Sequence, residues 1–230
     1  MWWGSMTAET LRQARTDAGM SQVEAAVRLG VSQTLLSLME KGKRSVTPLV
    51  ARKAVSMLKA SPSLLPVSLV KRRNEDQFAA ELGTLGYPGY SYLRGALRNP
   101  AELLLDALDR PDLDARIAEA LPWLVLRYPN LNWAWLTAEA KLRNRQNRLG
   151  FVTALARNLA VRQGQKQVAA ALTAAIKPLE KARLAKPDTL CQESWPPSQR
   201  QFAHKNRSKL AAHWNLDTRM TEDDLASITA

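Results

Sequence analysis

Runs of alternating β-branched residues are absent from the chain, and its apolar positions are filled mainly by Ala and Leu. Both are strong helix formers, so the pattern predicts helices throughout. Start signals recur at the expected places. Ser21 with Glu24 forms a capping box. Thr47-Pro48 and Asn99-Pro100 each set a cap residue before Pro at the first helical position. Thr221 precedes Glu222, Asp223 and Asp224, acids suited to a helix N-terminus. The fold class expected is all-α.

In the first sixty residues the elements are short. Leu11, Ala14 and Arg15 share one face of a first helix that ends at Gly19. A second helix starts after Ser21 and turns Val23, Ala26, Val27 and Leu29 inward, with Ala25 and Ala26 small enough to admit a neighbouring helix. Gly30 supplies the positive φ of a sharp turn, and Val31 plugs the gap between helices. Ser32 caps a third helix with Leu35, Leu36 and Met39 inward. Gln33, Thr34, Ser37 and Leu38 are left outside. Further on, helices are expected over 100–109, 112–128, 132–162 with Gly150 as a break, 164–184, 198–213 and 221–228. The stretch "LGTLGYPGYSYLRG" reads as an irregular turn, and "AKPDTLCQESWPPSQ" as a loop. The organisation expected is a tag remnant or disordered start at 1–6, a first domain at 7–60, a linker at 61–75 containing the run Lys71-Arg72-Arg73, and a larger helical domain at 76–230.

Charge sharpens this picture. The chain carries a net +12, and the first sixty residues hold the highest density of it, at +5. A polyanionic partner is implied, most often nucleic acid. The outward residues of the third helix are short and mostly able to hydrogen-bond, where a solvated face would carry Lys and Glu. Such a face suits base edges in a major groove. Lys41, Lys43 and Arg44 follow where a phosphate backbone would pass, and Gln22 sits near a helix N-terminus that can meet another phosphate. Glu40 is expected to pair inward with Arg15.

The stretch "LRQARTDAGMSQVEAAVRLGVSQTLLSLMEKGKR" resembles the helix-turn-helix domain of lambda-repressor/Cro-like (Xre-type) regulators, over about residues 7–60. The resemblance implies base contacts from Gln33, Thr34, Ser37 and Leu38, backbone contacts from Gln22, and a structural pair of Arg15 with Glu40. Leu38 departs from the pattern, since family members often carry Arg or Gln there. It suits a thymine methyl or the core equally well. A single module reads few base pairs, so a homodimer on a palindrome is expected.

The larger half holds no recognisable catalytic motif. His204 and His213 lie nine residues apart, Asp106, Asp109, Asp112 and Asp114 read as helix-end and loop acids, and Cys191 is the single cysteine. Neither an enzyme activity, a metal nor a cofactor is expected. No apolar run approaches the roughly 18 residues of a membrane helix. With a lone cysteine and no secretion signal, a cytoplasmic location is expected. The candidate partner-binding residues are Trp133, Trp135, Trp195 and Trp214, with a basic stripe of Lys141, Arg145 and Arg148. Tryptophan serves as an interface anchor or as core, and the pattern leaves both open. The end of the chain, basic and aromatic, suits a mobile segment that folds on a partner. The stretches "LGYPGYSYLRG…NPAELLLDAL" and "LPWLVLRYPNLNW…KLRNRQNRLGF" are similar to helix-turn-helix antitoxins paired with nucleotidyltransferase-like toxins. That similarity implies a repressor that also restrains a cognate toxin. The alternatives are a stand-alone ligand-responsive regulator and a DNA-acting enzyme.

Overall fold

The computed structural model describes residues 6–67 and 73–225, and the chain divides into two compact units, Met1–Val70 and Lys71–Ala230. The fold is all-α, an N-terminal helix-turn-helix bundle followed by a larger helical region. Residues 1–5, the basic pair Lys71 and Arg72, and the last part of the helix expected at 221–228 lie outside the described residues.

The first unit is built from α1 (Ala8–Asp17), α2 (Gln22–Leu29), α3 (Gln33–Glu40) and α4 (Pro48–Met57), closed by a 3-10 turn at Pro62–Leu64. Each helix has a hydroxyl cap: Thr7, Ser21, Ser32 and Thr47 accept from a backbone N–H in the first turn. The core gathers Leu11 and Ala14 from α1, Ala25, Ala26 and Leu29 from α2, Leu36 and Met39 from α3, and Val50, Ala51, Ala54 and Val55 from α4. Met6 and Leu65 are buried in it too, so this core reaches beyond both ends of the expected 7–60 span. Val23 and Val27 do not belong to it, being 56% and 76% exposed. Alanine, not valine, faces inward on α2, because α3 and α4 both pack against that helix.

The second unit is organised around α9 (Gln146–Arg162), which is buried along most of its length. A helix buried all round is a central one. Around it pack α7 (Ala115–Arg127), α8 (Trp133–Leu142) and α10 (Lys166–Glu180), with α12 (Lys209–His213) and α13 (Glu222–Leu225) against its sides. Two helices precede them, α5 (Glu75–Thr84) and α6 (Pro100–Leu108), and α11 (Pro197–Lys205) follows. Two-residue strands, β1 (Asp188–Thr189) and β2 (Leu216–Asp217), pair in parallel, so the expected loop at 185–199 contains a strand and the buried Cys191.

Several expectations change here. The helix expected at 132–162 breaks at Arg143–Arg145, where Asn144 takes a left-handed φ of 56°, and not at Gly150. Gly150 lies within α9, and glycine is required there because a Cβ would sit 2.2 Å from the indole of Trp214. The expected helix at 198–213 is two helices, the second capped by Ser208. Helix α5 stands in the segment read as linker and irregular turn, started by a capping box of Asn74 and Gln77. Arg73, placed by the sequence in the basic run of a linker, is buried among Glu81 (2.6 Å), Asp106 (2.6 Å) and Glu102 (3.8 Å).

Candidate nucleic-acid interface

The outward face of α3 follows from its cap and its core contacts. The Ser32 hydroxyl accepts from the Leu35 N–H at 3.1 Å and starts the helix. Leu36 and Met39 then turn inward, with Leu35 half-buried beside them. Gln33 and Thr34 are exposed, and Ser37 and Leu38 are half-buried. All four sit on one eight-residue helix, with hydrogen-bonding groups on three of them. The Leu38 carbonyl accepts from the N–H groups of Lys43 (2.9 Å) and Arg44 (3.2 Å), folding the following turn tightly onto the helix end. Lys41, Lys43 and Arg44 are exposed, and none is in an ion pair among the described residues.

The helices that carry this face are tied together by one polar cluster. Arg15 on α1 donates to both carboxylate oxygens of Glu40 on α3, Nε at 2.7 Å and Nη2 at 3.1 Å. Its Nη1 donates to the Met20 carbonyl at 2.8 Å. Gln22 on α2 donates its side-chain amide to Glu40 at 2.9 Å. Burial works to raise the Glu40 pKa, but the hydrogen bonds from Arg15 and Gln22 outweigh it and hold the carboxyl below its usual range. The Glu40 hydrogen bond in turn raises the Arg15 pKa. The sequence reading gave Gln22 a phosphate contact alone. In the structure it is half-buried, and one of its amide hydrogens belongs to the cluster, which leaves the other for a ligand.

The turn between α2 and α3 is fixed from a second side. Gly30 takes φ +68°, and Lys53 on α4 donates to the Leu29 carbonyl at 2.9 Å. A cation at this helix C-terminus satisfies an orphan carbonyl and favours the helix dipole. The sequence reading missed Lys53, whose role depends on a contact 24 residues away. The result is a rigid, uncharged, hydrogen-bonding helix face flanked by free cations. That arrangement can place side chains against base edges while the cations meet phosphates.

Residues 8–67 match the family model of a helix-turn-helix domain. No curated protein and no solved structure matches the chain significantly. The first unit is a helix-turn-helix domain of the kind that DNA-binding regulators carry.

The candidate partner-binding residues of the second unit do not form one exposed face. Trp214 is 0% exposed and seated against Gly150, and Trp135 is also buried. Trp133 is half-buried and donates its indole N–H to the Pro129 carbonyl at 2.8 Å. The stripe of Lys141, Arg145 and Arg148 does not exist, because the break at Arg143–Arg145 puts Lys141 on α8 and Arg148 on α9. Lys141 is exposed, Arg145 half-buried, and Arg148 0% exposed. Trp195 is half-buried and lines an open cleft of about 500 Å³ with Phe202 and Arg219. The end of the chain is folded through Leu225, not extended, since Trp214 and Leu216 anchor it in the core. Cys191 is buried beneath Arg148, and burial pushes its thiol up to about 11. The aspartates have local roles: Asp114 caps α7, Asp112 accepts from the Ser194 N–H, and Asp109 ends α6 beside Arg143 and Arg145. His204 faces Asp217, and His213 faces Glu180. Among the described residues no helix is long and apolar enough to cross a membrane.

Proposed function

We propose that the protein is a sequence-specific transcriptional repressor that acts as the antitoxin of a toxin–antitoxin pair, without catalytic activity of its own. The observation that carries the DNA half is the exposed α3 face beside three unpaired cations. Gln33, Thr34 and Ser37 read bases, Leu38 meets a thymine methyl, and Lys41, Lys43 and Arg44 meet the backbone with Gln22. A homodimer on a palindrome, with half-sites about one helical turn apart, supplies the specificity that one module lacks. The toxin half rests only on the resemblance of the stretches "LGYPGYSYLRG…NPAELLLDAL" and "LPWLVLRYPNLNW…KLRNRQNRLGF" to helix-turn-helix antitoxins. The cytoplasm is the compartment where both partners meet.

The test is co-expression with the neighbouring genes, followed by nuclease treatment and purification on a tag. Stoichiometric recovery of a co-encoded protein that is toxic alone supports the antitoxin role. Recovery of the protein by itself refutes that role and leaves the repressor. The alternative in that case is a ligand-responsive regulator, and the second unit holds open clefts of about 300–500 Å³ that a small molecule would have to occupy.

A further inference from the structure

The break between α8 and α9 opens onto a cleft of about 380 Å³ within the second unit. Asn144, Arg145 and Asn147 form one wall, the segment from Leu184 to Thr189 the other, and Glu193 and Arg200 the rim. Its two carboxylates are already engaged from the buried side. Arg148 donates to Asp188 from Nε (2.7 Å) and Nη2 (2.8 Å), and from Nη2 to Glu193 (2.8 Å). The cations facing the cleft are held much less firmly. Arg145 lies 3.4 Å from Asp109, 3.4 Å from Glu193 and 3.8 Å from Asp188, at or beyond the outer limit of a hydrogen bond. Asp109 is itself shared with Arg143 at 3.5 Å. Lys186 is exposed and has no partner among the described residues. Arg200 donates to the carbonyls of Trp195 and Glu193 and keeps a further amino group free. Asn144 joins this wall from a left-handed turn, at φ 56°.

We propose that this cleft binds a small phosphate-bearing anion such as a nucleotide. Three cations line the cleft, Arg145, Lys186 and Arg200, while Arg148 neutralises Asp188 and Glu193 from the buried side, so the cleft presents an excess of positive charge to an anion. Guanidinium groups present planar donor forks that match phosphate oxygens, and an ammonium adds a point charge beside them. The volume lies within the range of small-molecule sites. This inference concerns the second unit alone and does not depend on the toxin reading.

The test is calorimetric titration of the full chain with inorganic pyrophosphate and with AMP, in a buffer free of phosphate. Saturable binding at one site is expected. Arg145→Gln with Lys186→Gln should weaken it at least about tenfold, since hydrogen bonds to charged groups contribute that much. The double variant should keep the wild-type unfolding temperature without ligand, because neither side chain makes a short contact. Absence of saturable binding at millimolar ligand, or unchanged affinity in the double variant, overturns the proposal. Succinate binding as tightly as pyrophosphate overturns the phosphate assignment. Loss of pyrophosphate binding on adding a random DNA duplex, with the same two residues weakening that duplex, overturns the small-molecule source in favour of DNA backbone.

Discussion

Replacing Glu40 with Ala should loosen the helix-turn-helix bundle without touching the second unit. Glu40 receives three side-chain hydrogen bonds, two from Arg15 and one from Gln22, and its side chain is 3% exposed. Removing one partner of a buried ion pair costs about 3–5 kcal/mol. Arg15 is 15% exposed and keeps the Met20 carbonyl, so part of its lost solvation returns. The expected cost is therefore about 2–3 kcal/mol, below the fully buried case. The assay is native-state hydrogen exchange, read on peptides from α1 to α3 with peptides from α9 as an internal reference. Protection should fall in the first set by that amount and stay constant in the second. A loss under about 0.5 kcal/mol, the range of ordinary surface substitutions, would refute the claim that this cluster holds the three helices together. The pH dependence has a fixed sign. Glu40 has a folded pKa below its ordinary 4.5, so its contribution is complete above that value and is lost as pH falls through the folded one. Wild-type protection in α1 to α3 should thus drop, as pH falls below 4.5 and through the lowered pKa, by more than in the Glu40→Ala variant.

Gly150→Ala should destabilise the second unit by about 3 kcal/mol, the upper end for overpacking, since its Cβ would overlap the Trp214 indole. Thermal unfolding followed by tryptophan fluorescence reads this, and an unchanged midpoint would mean that the indole moves freely. Substituting Lys43 with Ala should weaken all DNA sequences alike and reduce the salt slope of binding by about 1. Anisotropy titrations across a salt series measure that slope. Replacing Gly30 with Ala should also lower stability, because φ +68° is strained for a side chain and the Cβ would meet the Lys53 ammonium at 2.6 Å. Urea unfolding of the bundle checks it, with a stabilised variant as the contrary result.

The first unit was readable because its signals are local. Hydroxyl caps, the capping box at Ser21 and Glu24, and Gly30 in a left-handed turn all act within a few residues. The pairing of Arg15 with Glu40 was also expected, and the resemblance to lambda-repressor/Cro-like domains implied it. Which apolar residues of α2 face inward was not. Val23 and Val27 obey a helical period, but tight packing by two neighbours selects the alanines. In the second unit the decisive contacts are distant in sequence. Nothing near Gly150 announces Trp214, 64 positions on, and nothing near Arg148 announces Asp188 and Glu193. Trp135 and Trp214, left open between anchor and core, are therefore core, and Arg148, expected on a basic stripe, is buried. Helix α5 is different, because Asn74, Glu75, Asp76 and Gln77 give a start signal as clear as those that were used.

The outer face of α3 is the part of the protein expected to read DNA sequence. The most direct measurement is anisotropy titration of the full chain with the DNA upstream of its own gene and with a scrambled duplex, for wild type and Gln33→Ala. Tighter binding of the upstream DNA is expected, with about 1–3 kcal/mol lost at one base position in the variant and little change on the scrambled duplex. Equal affinity for both duplexes, unaltered by the substitution, would contradict it.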